Sequence, residues 1–185
     1  GTLSANISEK IKGGQSNVND VKKMLKEDQN YPKKSLFLNK FNDNRPGPRT
    51  ASYILSEINQ QKYHKGKSDL GPLLASDKSA EHIMPKDVSK WDDYIGRHLG
   101  IKKNVNEDVY FQRIDAYHEN YLKLYGNYTL LNRKKNSAIQ NKPFKEKCKV
   151  YKKSEAKITK ALAEDYKTWY ERDIKKRTEI LAKYA

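Results

Sequence analysis

Three short stretches of this sequence carry side chains suited to the hydrolysis of a phosphodiester bond. Glu81 and His82 stand shortly before Pro85, Asn127 opens a second stretch, and Asn136 lies nine residues beyond Asn127. Such a reaction needs a base to activate water, a cation to stabilise the pentavalent phosphate and the leaving oxygen, and a group that holds the base in one orientation. A histidine, an acid and two carboxamides can supply these functions.

The first two stretches have the composition of short β-strands. Residues 79–84 form a mixed apolar run that stops at Pro85, and residues 127–131 form a β-branched and aromatic run that is entered through Gly126. We expect the two runs to pair as strands of one hairpin. Asn132 then stands where it can cap a basic helix.

This unit of two strands and a helix predicts where each side chain points. Glu81 and His82 lie on opposite faces because strand side chains alternate, so one can reach a cation while the other faces the scissile phosphate. Asn136 lies about one turn into the helix, from where its amide oxygen can reach the same cation. Asn127 is expected to hydrogen-bond the His82 imidazole or its neighbouring backbone, which fixes the tautomer that accepts a proton from water.

Each of these residues alone also has an ordinary structural interpretation. A histidine beside an acid is commonly a surface or core pair, and asparagine is a common turn residue. The combination of acid-His-Ile-x-Pro, Gly-Asn-x-Thr-Leu-Leu and a second asparagine indicates the histidine, asparagine, asparagine set of an HNH-type nuclease. The remaining histidines fit no ligand pattern and are assigned to structure or surface: His64, His98 and His118.

The chain resembles the C-terminal, HNH-containing domain of GmrSD-type modification-dependent restriction endonucleases and related anti-phage nickases. The resemblance extends from about Tyr31 to the end. It is carried by residues 49–55, 81–85, Trp91, 124–131, Asn136, Ser137, 141–144, Lys147, Tyr151, Ser154, Trp169 and Arg177. Two departures concern substrate contacts: Lys86 stands where the family often has glutamine, and the insertion at 88–125 is longer and more charged than the commonest form.

The resemblance implies an HNH-type endonuclease that nicks double-stranded DNA with the help of Mg²⁺ or Mn²⁺. By resemblance His82 is the general base and Asn127 orients it, while Glu81 and Asn136 are the metal ligands. It also implies an N-terminal nucleotide-hydrolysing sensor domain or a partner subunit. This chain has no phosphate-binding Gly-rich motif, so we expect an excised C-terminal domain or the effector half of a split system.

The charge of the chain favours a polyanionic partner. Its 38 Lys and Arg residues against 23 Asp and Glu residues give a formal charge of +15. Residues 132–160 hold 11 basic and 2 acidic side chains, directly around and after Asn136. Any single lysine among them is equally consistent with a solvated helix face. The side chains predicted to contact DNA phosphates are Lys86, Arg133, Lys134, Lys135, Lys142, Lys145, Lys147 and Lys149.

The predicted fold class is α+β, a mainly helical domain built around a ββα-metal (HNH) core at about 79–140. Residues 1–30 form an N-terminal helical segment and residues 31–185 the GmrSD-like domain. Helical periodicity or end signals predict helices at 4–12, 18–28, 35–41, 50–63, 107–124, 145–152 and 165–184, with a short irregular or helical piece around Trp91. The aromatic residues of 107–124 are assigned to the core rather than to base stacking.

Several classes of protein are excluded or disfavoured. No apolar run approaches the ~20 residues of a membrane span, and no signal peptide is recognisable. The single cysteine, Cys148, excludes an internal disulfide and a cysteine-based zinc site. We therefore expect a cytoplasmic bacterial protein without membrane contact. Two alternatives to a nuclease stay open: a nucleic-acid-binding module that does not cut, and a helical adaptor within a larger defence protein.

Overall fold

The described part of the chain consists of helices and one pair of strands. This computed structural model describes residues 33–64 and 78–185, together with Asp20 and Lys23. The chain divides into two compact units between Asn39 and Lys40. The second unit, from Lys40 onward, contains both strands and all of the predicted site residues.

The described elements follow one another in a fixed order. Before the second strand lie α1 (Lys34–Asp43), α2 (Pro48–His64), β1 (Lys78–His82), α3 (Asp92–His98), α4 (Glu107–Leu122) and a 3₁₀ turn (Tyr125–Asn127). Then come β2 (Tyr128–Asn132), α5 (Arg133–Ile139), α6 (Phe144–Tyr151), α7 (Lys157–Asp165) and α8 (Glu171–Ala182). The α+β class with a mainly helical chain is thereby confirmed.

The two strands pair antiparallel, as the sequence predicts. Lys78 stands opposite Asn132 and His82 opposite Tyr128. The strands are joined through α3 and α4, so they are neighbours across a long insertion. α2 contacts both strands and α7 packs against β2, which leaves β2 buried over its first four residues. The Asn132 side chain accepts a hydrogen bond from the Lys134 backbone N–H, so the predicted helix cap is confirmed.

Helix α4 begins and packs as its sequence indicates. Asn106 caps it by accepting a hydrogen bond from the Val109 backbone N–H, which satisfies one of the donors left open at a helix start. Tyr110, Ile114 and Tyr117 recur at helical spacing and are buried. The assignment of these aromatics to the core is therefore confirmed, whereas Val109, at 46% exposure, lies outside it.

Other predicted elements differ from the observed ones in their limits. The predicted helix at 165–184 begins only at Glu171. Helix α7 is not among the predicted helices, although Ile158, Leu162 and Ala163 recur in it at helical spacing and are buried. The predicted helices at 4–12 and 18–28 fall outside the described ranges. Within those ranges, no helix is both long enough and apolar enough to cross a membrane.

Helix α8 packs directly against the backbone that precedes β2. The Gly126 N–H donates to Thr178 Oγ1 at 2.9 Å, and Arg177 Nη1 donates to the Gly126 carbonyl at 2.7 Å. A Cβ on Gly126 would overlap the Ile174 carbonyl oxygen. The absence of a side chain at this glycine thus permits the contact that holds α8 against the strand pair.

We predict that Gly126→Ala strongly destabilises the domain. The added methyl group must push α8 away from the 3₁₀ turn, and overpacking of this kind costs about 1–3 kcal/mol or more. Thermal unfolding followed by circular dichroism measures the effect. Gly47→Ala is the matched control, because nothing lies within 4 Å of the position that its Cβ would take; equal melting temperatures for the two variants would contradict the packing argument.

Candidate functional site

An open cavity of about 280 Å³ lies beside the end of β1. Four of the residues predicted to form the site line it together: Glu81, His82, Lys86 and Asn136. They come from β1, from the loop after it and from α5. The remaining lining residues are Pro48, Ala80, Pro85, Gln140 and Asn141. Residues distant in sequence therefore meet at one concave surface.

His82 is held by packing. Its ring lies 4.4 Å from the ring of Tyr128, its partner across the strands, and only 8% of the residue is exposed. Neither ring nitrogen has a hydrogen-bond partner among the described residues. Burial, reinforced by the positive charges of Lys86 and Lys147, lowers the pKa of His82 to about 3. The imidazole is therefore neutral near pH 7, which is the form a general base needs, while burial by itself disfavours the protonated form.

Glu81 turns its carboxylate towards α6. Lys147 Nζ donates to Glu81 Oε1 at 2.6 Å, and the Tyr151 hydroxyl donates to the same oxygen at 3.1 Å. Lys147 Nζ also donates to the His82 main-chain carbonyl at 2.8 Å. Burial raises the pKa of Glu81 and lowers the pKa of Lys147, and the attraction between the two groups opposes both shifts. One carboxylate oxygen is thus held by two donors inside the protein.

Asn136 is oriented by β1. Its Nδ2 donates to Ser79 Oγ at 2.8 Å, whereas its Oδ1 has no hydrogen-bond partner among the described residues. Because the amide nitrogen is anchored, the amide oxygen is the atom left for another ligand. Asn136 therefore meets the requirement for an oxygen donor at the cavity.

Asn127 bonds the backbone next to His82 rather than the imidazole. Its Oδ1 accepts hydrogen bonds from the Met84 backbone N–H at 2.8 Å and from Trp169 Nε1 at 3.0 Å. Its Nδ2 donates to the carbonyls of Met84 and Leu122. These four bonds use the whole capacity of the carboxamide, so none is left for the His82 imidazole. Asn127 holds the backbone just after His82, which is the second of the two contacts considered for it.

The predicted DNA-contacting residues differ in their exposure. Lys147 is completely buried, with 0% exposure, and it pairs with Glu81. Its assignment to phosphate binding is wrong, because a charge enclosed by the core cannot reach a DNA backbone. Lys135 is half-buried and bonds the Lys153 carbonyl. The others are exposed: Lys86, Arg133, Lys134, Lys142, Lys145 and Lys149.

The donor set limits which cation the cavity suits. Among the described residues, no group of three or more His, Cys, Asp and Glu side chains converges as a metal site. Glu81 and Asn136 provide one carboxylate and one carboxamide at the cavity. Two oxygen donors fit a hard cation that keeps several waters or takes oxygens from a phosphate, and they do not fit structural zinc.

Comparison with protein families gives a match over nearly the whole chain. The family model of the C-terminal domain of GmrSD restriction endonucleases matches residues 28–184. The chain belongs to this family. Membership supports a role as the DNA-cleaving part of a restriction system. Comparisons with curated proteins and with solved structures gave no match.

The GmrSD C-terminal domain also contains site residues that the sequence did not indicate. Gln140 and Asn141 line the cavity, and His118 Nε2 donates to the Pro85 carbonyl at 2.8 Å, which supports the loop after His82. Tyr151 and Trp169 belong to the pattern shared with the family, but spacing alone could not assign them a partner. Their contacts arise from α6 and from the segment before α8.

We predict that Asn127→Ala unfolds or strongly destabilises this domain. The change leaves Met84, Leu122 and Trp169 with buried polar groups that lack partners, at ~1–3 kcal/mol for each group. Differential scanning calorimetry should show a loss of more than about 3 kcal/mol. Asn104→Ala, in an exposed loop, should change stability by less than about 0.5 kcal/mol. An Asn127→Ala protein as stable as the parent would show that its carboxamide does not hold the site together.

Proposed function

We propose that this domain is a metal-dependent HNH endonuclease that nicks double-stranded DNA as the effector of a restriction or anti-phage defence protein. The observation that carries the proposal is the cavity at which Glu81, His82 and Asn136 meet. It lies beside two antiparallel strands followed by a helix, the arrangement expected of a ββα-metal core. The family membership supports the DNA-cleaving part of the proposal.

The chemistry follows from the environment of His82. Its neutral imidazole takes a proton from a water molecule as that water attacks phosphorus, and the bond from phosphorus to the leaving oxygen breaks. A bound Mg²⁺ or Mn²⁺ supplies positive charge that stabilises the pentavalent phosphate and the leaving oxygen. Tyr128 keeps the imidazole in place by packing against it, and Asn127 holds the following backbone.

Glu81 and Asn136 are the residues that would hold the cation. Both are oxygen donors, and the Ser79 hydroxyl fixes the amide of Asn136. A site with so few protein ligands relies on water and on substrate phosphate oxygens to complete the coordination, which is usual for Mg²⁺. Cleavage should therefore require a hard divalent cation and stop when EDTA removes it.

DNA would approach the cavity across a positively charged surface. Lys86 lines the cavity, and Lys123 lies close enough for its charge to lower the pKa of His82. The exposed basic residues on and after α5 extend this charge. Such contacts position the DNA backbone without reading its sequence. Recognition of modified DNA is assigned to a nucleotide-hydrolysing sensor domain or partner subunit.

The decisive experiment is cleavage of supercoiled plasmid by the parent protein and by His82→Ala. In Mg²⁺ the parent should convert supercoiled DNA to the nicked form, because one centre cuts one strand at a time. His82→Ala should lose about 10²–10⁴-fold in rate, the contribution of a general base. Its DNA affinity should change little, because a neutral imidazole provides no charge for phosphate binding.

Two controls separate this result from other causes. His98→Ala removes a histidine that lies outside the cavity and pairs with Glu171, and its nicking rate should match the parent. EDTA should abolish nicking by the parent. If His82→Ala nicked DNA as fast as the parent, the assignment of His82 as the base would be refuted. If the parent bound DNA but did not cleave it in any divalent cation, the alternative of a non-cleaving DNA-binding module would be favoured.

A second prediction concerns the exposed lysines. A triple variant in which alanine replaces Lys134, Lys142 and Lys145 should bind DNA more weakly. The salt dependence of its binding should also be shallower. Each real phosphate contact contributes about 0.9 to the slope of log K against log salt. Single-turnover cleavage at saturating DNA should stay near the parent rate, because these lysines position the backbone without entering the reaction.

The matched control removes three positive charges from lysines outside the predicted DNA contacts. Lys167, Lys176 and Lys183 are also exposed, and their triple alanine variant should keep the slope of the parent. If both triple variants lowered the slope equally, binding would depend on total charge rather than on the surface beside the cavity.

A further inference from the structure

We propose that Lys147 is a positioning residue of the cleavage site, which holds the Glu81 carboxylate and the His82 main chain so that Glu81 binds a divalent cation through its second oxygen. The inference rests on the proposed function. It replaces the role in DNA contact that the sequence indicated for this lysine. The same network gives Tyr151 a supporting part.

The contacts of Lys147 join the two key residues of the site. Its Nζ lies 2.6 Å from Glu81 Oε1 and 2.8 Å from the His82 carbonyl oxygen. These bonds connect α6 with the last two residues of β1, across 65 and 66 positions of sequence. A movement of the ammonium group would therefore shift the metal ligand and the backbone of the base together.

Tyr151 constrains the same carboxylate. Its hydroxyl donates to Glu81 Oε1, so two donors hold one oxygen and the carboxylate cannot rotate freely about its last bond. Glu81 nevertheless lines the cavity. The His82 backbone also hydrogen-bonds this carboxylate. Both side-chain donors hold Oε1, and none among the described residues holds Oε2, which makes Oε2 the oxygen suited to a cation. Partners that orient metal ligands in this way typically contribute about 10–100-fold to metal affinity.

Stability alone is a poor explanation for this buried pair. Enclosing a lysine and a glutamate removes both from water, and replacing such a pair with apolar residues is often neutral or stabilising. Lys147 is 0% and Glu81 3% exposed. An apolar pair at the same place could pack β1 against α6, but it could not present a carboxylate to the cavity. The ion pair is explained by the need for an acidic ligand at the edge of the core.

The test measures cation binding directly. Mn²⁺ is titrated into each protein in the presence of duplex DNA, and the free ion is quantified by electron paramagnetic resonance. All proteins in this titration carry His82→Ala, so that the DNA stays intact. Lys147→Met should weaken Mn²⁺ binding by about tenfold or more, and Tyr151→Phe by about threefold. In the corresponding proteins that retain His82, the Mn²⁺ concentration for half-maximal nicking should rise in the same order.

Lys176→Met is the matched control, because this lysine is exposed on α8 and lies outside the cavity and the predicted DNA contacts. It should leave the Mn²⁺ affinity unchanged. A variant that unfolds reversibly binds Mn²⁺ with an apparent affinity reduced by its folded fraction. Affinities are therefore compared only between variants that circular dichroism and thermal unfolding show to be fully folded at the temperature of the titration. If Lys147→Met does not fold, Tyr151→Phe decides, since it removes only a hydroxyl.

The outcomes separate the two proposals. The positioning role is overturned if the parent nicks DNA and folded Lys147→Met binds Mn²⁺ as tightly as the parent does. If Lys147→Met does not fold, unchanged Mn²⁺ affinity in Tyr151→Phe has the same meaning. Either result leaves the nuclease assignment intact. A parent protein that cuts no DNA in Mg²⁺ or Mn²⁺ overturns the proposed function, and the positioning role with it.

Discussion

The fully hydrogen-bonded carboxamide of Asn127 holds the candidate site together. Its four hydrogen bonds join the backbone after His82, the end of α4 and the indole of Trp169. These groups lie up to 43 positions away along the chain. Because a buried amide gains little from bonding but loses much when left unpaired, the three segments are held in one arrangement. The site is thus built on a fully satisfied polar contact in the core.

Two buried cations illustrate different ways to compensate a charge. Lys147 pairs with the Glu81 carboxylate, whereas Arg177 donates through Nη1 to the carbonyls of Gly126 and Tyr128. Burial lowers the pKa of Arg177 to about 10, a value at which it remains charged at neutral pH. Both side chains fix backbone around the strands. The positive charge of the chain therefore has two uses, one inside the core and one on the surface.

The insertion between the strands belongs to the support of the site. His118 on α4 bonds the Pro85 carbonyl, and Trp91 donates its indole N–H to the Lys142 carbonyl at 3.1 Å. The insertion therefore contacts both the loop after β1 and the segment between α5 and α6. These contacts make the insertion part of the frame around the cavity.

Local structure and the residue types of the candidate site follow from the sequence by itself. Strand composition, the Asn132 cap and helical periodicity act over a few residues, and Glu81, His82 and Asn136 could be chosen by residue type and spacing. The partner that each polar group finds depends instead on how distant elements pack. In the sequence, residue type does not distinguish Lys147 from its exposed neighbours Lys145 and Lys149. Its burial depends on the contact of α6 with β1, which only the tertiary structure shows. Asn127 could reach either an imidazole or a main chain, and only the approach of Trp169 and Leu122 selected the latter.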